Sequence, residues 1–244
     1  TRLMPESPSQ TETVRDVILG KPVRGQRVVE QITSVDLTPD ADEICFDLIV
    51  DGHVSTYAIT ETGPIALTSR GSGQFTVKKP IKICHEGLIA GRSVASASNR
   101  ARLMNVSTSF DSVPLMGSLL RTLARNQHAD SLPEANREVA QKIVWQSCRK
   151  TDKESEEKFA ALSNQIEDSF WQPLVRLGLS PTPFMETTED RATLRLRLNA
   201  DTQLAAHTPR PREPDGTLFG YQVHESTINN AFERLGIKGQ RLTP

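Results

Sequence analysis

Five histidines, His53, His85, His128, His207 and His224, are the first residues to test for acid–base or metal chemistry in this chain of 244 residues, and their spacing assembles neither. There is no HExxH pair and no Cys/His cluster, so no zinc ligand set can be read from the sequence. His85-Glu86 and His224-Glu225 bring an imidazole beside a carboxylate in sequence, but neighbours in an extended chain point to opposite faces. Asp36, Asp40, Asp42 and Glu43 carry enough oxygens for a hard cation but lack the Asp-x-Asp-x-Asp-Gly order of a calcium loop, and the expectation is a polar turn. Gly71-Ser-Gly73 is neither a nucleophile elbow nor a phosphate loop and is expected as a hairpin tip. No catalytic residue, metal ligand or cofactor is assigned. Cys45, Cys84 and Cys148 are odd in number and widely spaced, without a CxxC. They read as small buried hydrophobes, with a Cys45–Cys84 bridge as the alternative in an exported protein.

Arg191-Ala-Thr-Leu-Arg-Leu-Arg-Leu198 alternates apolar and polar residues without a fault. Ala192, Leu194, Leu196 and Leu198 share one face, and Arg191, Thr193, Arg195 and Arg197 share the other. Such a strand needs a helix or sheet over its apolar side. Residues 14–112 read as β structure, with short strands at 27–37, 43–50, 53–60, 65–69, 74–79 and 81–85. Turn signals separate them, and Asp51-Gly52 is the strongest hairpin signal. The short connections predict an antiparallel sheet. Residues 90–109 show no clear pattern. Helices are predicted over 113–180, where Leu115, Leu119, Leu120 and Leu123 make one stripe. A loop is expected at 128–131, then a capping box from Ser131 to Glu134. A break or solvated elbow is expected at 150–158, the alternative being one long helix. Phe159, Leu162, Ile166, Phe170, Leu174 and Leu177 form an apolar stripe, with a kink at Pro173. Gly178 and Gly236 are expected in the left-handed conformation that ends a helix. Trp145 and Trp171 are expected in the core or a subunit contact.

The formal net charge of −1 excludes a dedicated nucleic-acid binder, which needs a concentrated basic face. No segment approaches a membrane span. Residues 1–13 are expected as a polar leader, and both ends of the chain read as processing or fragment boundaries. Residues 14–244 are expected as one α+β domain, an antiparallel sheet packed against or wrapped around long amphipathic helices, with 181–244 returning a strand to the sheet and ending in a helix.

Tyr221-Gln-Val-His-Glu-Ser-Thr-Ile-Asn-Asn-Ala-Phe232 places an apolar run before Ser226-Thr-Ile-Asn229, which opens a helix. With the order of short strands, long helix and further strand, it resembles the tubular lipid-binding superfamily, which includes the bactericidal/permeability-increasing proteins. The resemblance covers about a dozen residues and the element order, and the charged segment 150–158 departs from it. It implies a curved sheet around a long helix, a lipid groove of apolar lining and no catalytic residues. The segment from Glu189 to Ser226 is also similar to large uncharacterised bacterial proteins, a similarity that carries no function.

The expected function is non-enzymatic binding of a lipid-like ligand, with Phe159, Leu162, Ile166, Phe170, Leu194, Leu196 and Leu198 as apolar lining and Arg195 and Arg197 at a headgroup. An elongated ligand would need a continuous cavity of at least about 300 Å³. The alternatives are a structural or protein-interaction module of a larger envelope protein, and an enzyme with an unfamiliar site. The partner is thus a lipid or another protein, and the expected compartment is the periplasm or cell envelope.

Overall fold

The computed structural model describes residues 9–199, 203, 217 and 219–234. Among these residues, eight strands and three α-helices follow one another as β1 (Gln10–Ile18), β2 (Lys21–Thr38), β3 (Ile44–Thr62), β4 (Ile65–Cys84), β5 (Gly87–Ala90), β6 (Val94–Thr108), α1 (Pro114–Ile166), α2 (Gln172–Arg176), β7 (Ser180–Thr187), β8 (Ala192–Asn199) and α3 (Glu225–Arg234). A π-helical turn, Glu167–Trp171, joins α1 to α2. The class is α+β, with a strongly curled antiparallel sheet and a long helix. Among the described residues no helix is long and apolar enough to cross a membrane.

Contacts divide the chain into two compact units. The first takes residues up to Asp36, Phe46–Ile81 and Ala90–Glu156, and the second takes Leu37–Cys45, Lys82–Ile89 and residues from Glu157 on.

In the first unit the sheet runs β1-β2-β3-β4, with β6 also pairing β4. β1 uses Gln10 to Thr13 of the expected leader and turns into β2 through Leu19 and Gly20, both at positive φ. That is the two-residue hairpin geometry matched to sheet twist. β6 fills the undecided region 90–109. The expected hairpins at Asp51-Gly52 and Gly71-Ser-Gly73 do not form, because β3 and β4 run straight through them. These glycines answer a different need. A Cβ on Gly52 would lie 2.1 Å from the Phe75 ring, and one on Gly71 would lie 2.4 Å from Thr56 Oγ1. A strand glycine of this kind marks close approach, not reversal.

Along β4 burial alternates from Gly71 to Ile81, so Phe75 and Val77 enter a core with Val50 and Val54, backed by Ile143 of α1. A second cluster joins Leu67, Val106 and Ala124. Helix α1 is continuous, correcting both the loop at 128–131 and the break at 150–158. Ser131 is no cap, since its hydroxyl donates back to the carbonyls of Gln127 and His128 inside the helix. The charged middle stays helical because its polar groups have partners. Asp152 accepts from Lys79 Nζ at 2.5 Å and from Ser93 Oγ at 2.7 Å, and Ser155 Oγ donates to the Thr151 carbonyl.

In the second unit β7 and β8 form their own antiparallel pair, so β8 does not return to the large sheet. Asp40 and Thr187 exchange backbone hydrogen bonds, and the Thr187 hydroxyl donates to the Glu43 carbonyl while accepting the Cys45 amide. Gly178 has φ +68 and Leu179 N donates to the Leu174 carbonyl, the expected helix stop. The π-helical turn lies directly before Pro173, where the kink was expected. The apolar run at residues 221–224 is not in a strand. His224 Nδ1 instead accepts the Ser226 amide at the start of α3, and Asn230 Nδ2 donates to the Leu198 carbonyl. Gly236 lies outside the described residues. All three cysteines are free and half-buried. Trp145, expected in the core or a subunit contact, is exposed and so not in the core, with the Arg149 guanidinium 5.2 Å from its ring centre.

Candidate functional site

The residues that meet around empty space are not those the sequence singled out. Between the sheet and α1 of the first unit lies a cavity of about 220 Å³. Its wall draws on both core clusters, with Val54, Leu67, Ala124 and Ile143, and adds Val14 and Val139. The helical side follows one face of α1. Ala124, His128, Leu132, Ala135, Val139 and Ile143 are three or four residues apart and all line it.

Polar side chains reach the cavity too, and most are satisfied. Asn136 Oδ1 accepts from Asn99 Nδ2 and the Ala101 amide, both at 2.9 Å, pinning α1 to β6. Lys142 pairs with Asp16 at 2.8 Å and Glu138 at 3.1 Å and donates to the Val17 carbonyl. Burial disfavours its charge, but the two carboxylates outweigh that and hold its pKa above the ordinary lysine value. Glu138 also accepts the Leu19 amide, which, with the Lys142 bond, holds its carboxyl below the usual range. The strained β1–β2 turn is therefore clamped by the same helix that walls the cavity. Arg27 pairs with Glu12 and donates to Gln146.

Two groups differ. His128 Nε2 is buried without a hydrogen-bond partner. Burial, and then the nearby Lys21 ammonium, push its pKa below the ordinary histidine value. Both residues line the cavity.

None of the seven residues expected as apolar lining borders this cavity. Phe159 is half-buried, while Leu162, Ile166 and Phe170 are exposed on α1 and the π-helical turn. Leu194 is 53 % exposed, with Leu196 and Leu198 half-buried. β8 has β7 and α3 as neighbours. Arg195 stacks over its cross-strand partner Phe184 at 5.3 Å, and Arg197 is exposed opposite Thr182.

In the second unit ligand atoms of Asp40, Glu43 and Cys45 lie within 4.8 Å of one another, the described grouping best able to hold a metal. Their existing bonds favour a structural turn. Asp40 Oδ1 already accepts the amides of Asp42 and Glu43, and Glu43 pairs with Lys82. Burial, reinforced by Asp40 and Glu43, raises the Cys45 pKa and keeps the thiol protonated. A pairing the sequence did not suggest is His53 Nε2 with Ser72 Oγ, 2.9 Å apart on β3 and β4. A nucleophile needs a third group to orient its base and amides to hold an oxyanion. Ser72 sits inside the β4–β6 ladder opposite Arg100, and no described acid bonds the imidazole, so the pair serves as a cross-strand contact.

The cavity is thus a described place where a small molecule could be enclosed, and it sets an aliphatic stretch of wall beside polar side chains and one unsatisfied imidazole. A shallower pocket of about 350 Å³ lies at Gln26, Val28, Tyr57, Arg70 and Met104. Comparison with protein-family models and with curated proteins gives no match for this chain.

Proposed function

We propose that the chain is a non-enzymatic binding protein that encloses one small apolar molecule between the sheet and α1. The observation carrying this reading is the 220 Å³ cavity with its aliphatic wall, because protein interiors otherwise pack without voids much larger than a water. An apolar cavity of about 150 Å³ stays dry and takes up benzene. The volume is below the 300 Å³ that an elongated lipid needs, so the ligand is short, about nine non-hydrogen atoms by proportion to benzene. A second reading, an interaction module of a larger envelope protein, is supported by Leu115, Leu119 and Leu123, which form an exposed apolar stripe at the start of α1.

Calorimetric titration with 1-octanol tests the first reading. Saturable binding is expected, with a melting temperature that rises with ligand in the manner of native-state linkage, about 2.7 kcal/mol at a hundred times Kd. The Ala124→Phe variant, which fills the cavity from a buried position, is expected to lose that binding. Absence of saturable binding to the unaltered protein removes the ligand-binding reading and leaves the interaction module.

A further inference from the structure

A purely aliphatic cavity would need no histidine, and a buried ring nitrogen without a partner costs on the order of 1–3 kcal/mol. His128 Nε2 carries that deficit at the cavity wall. Lys21 lines the same cavity and makes no ion pair among the described residues. The other cations at the wall are committed, Lys142 to Asp16 and Glu138, and Arg27 to Glu12. The wall therefore presents one unspent positive charge and one unspent imidazole nitrogen beside an aliphatic lining.

We infer that the cavity is a site for a short-chain aliphatic monocarboxylate, its chain against Val54, Leu67, Val139 and Ile143 and its carboxylate received by Lys21 and His128 Nε2. The inference rests on the proposed ligand-binding function and names the ligand class. A carboxylate meets both deficits at once. It offsets the Lys21 charge and accepts a hydrogen bond from Nε2, and charge-assisted bonds of this kind are about twice as strong as neutral ones. An alcohol of equal chain length fills the same space but leaves Lys21 unpaired. A phospholipid is excluded by size, since one acyl chain already occupies the volume. The headgroup role thereby moves from Arg195 and Arg197 to Lys21 and His128.

The test compares octanoate with 1-octanol at neutral pH, on the full chain and on the Lys21→Met and His128→Phe variants. Octanoate is expected to bind about ten-fold or more tightly than octanol, and each variant to erase that preference of octanoate over octanol, whatever its affinity for octanol. A cooperative thermal melt reports that each variant is folded. If octanol binds and octanoate binds no better, or if the variants keep the preference for octanoate, the carboxylate assignment is overturned while the cavity remains a ligand site. If neither compound binds the unaltered protein, both the assignment and the binding function fall.

Discussion

Lys79 is 2 % exposed and stands on the face of β4 that carries Phe75, Val77 and Ile81. An ammonium there survives only with a partner, because an unpaired buried charge is far costlier than a polar contact is favourable. Asp152 supplies it, with Ser93 completing the carboxylate's bonds. Burial opposes ionisation of Asp152, but the Lys79 and Ser93 bonds outweigh it, and its pKa lies below the ordinary value. Asp152→Ala is expected to cost about 2–3 kcal/mol, on the low side for orphaning a buried charge because the Asp152 side chain keeps 33 % of its surface exposed. The pH dependence has a definite sign. A depressed folded-state pKa stabilises the protein above the unfolded value of about 3.9, and that stability is lost as pH falls through the folded value. Asp152→Asn should therefore flatten the acid limb of a denaturation series below about pH 4, and an unchanged limb would show that the pair adds nothing.

At the scale of elements, continuity of β3 depends on a residue with no side chain. Gly52→Ala puts a methyl 2.1 Å from the Phe75 ring, and the expected cost is about 1–3 kcal/mol of overpacking. Combining it with Phe75→Leu should recover part of that loss, and thermal melts of the two single variants and the double variant decide it. This glycine also explains what the sequence concealed. Alternation in 191–198 and the Val- and Thr-rich runs before residue 85 foretold strands and an antiparallel sheet. Where strands end was not legible, since Asp51-Gly52 signals a turn equally well as a close ring contact. The charged run 150–158 hid the continuity of α1 for a related reason: Lys79 and Ser93, which satisfy Asp152, lie 73 and 59 residues away. The cavity was partly legible. Ala124, His128, Ala135, Val139 and Ile143 keep helical spacing, but reading 128–131 as a loop cut that face in two. The volume they enclose belongs to what the sheet leaves unfilled, which no spacing encodes.

For the whole molecule, the chain passes between its two units at Asp36–Leu37, Cys45–Phe46, Ile81–Lys82, Ile89–Ala90 and Glu156–Glu157. Neither unit is a contiguous segment, so neither can be cut out with one break. A chain ending at Glu156 keeps residues 37–45 but loses Thr187, and with it two backbone bonds to Asp40 and two side-chain bonds at Glu43 and Cys45. Each is worth about 0.5–1.5 kcal/mol. The shortened chain is expected to melt well below the full one and to self-associate on size exclusion; a monomer with an unchanged melt would contradict this. The same spacing sets a delay during synthesis. The Glu43 carbonyl and its Thr187 partner are 144 residues apart, which at about 5–20 residues per second leaves that stretch waiting for roughly 7–30 s. Until then the Asp40 backbone, the Glu43 carbonyl and the Cys45 amide have only water in place of Thr187, so the turn that invites comparison with a metal site is among the last parts of its unit to close.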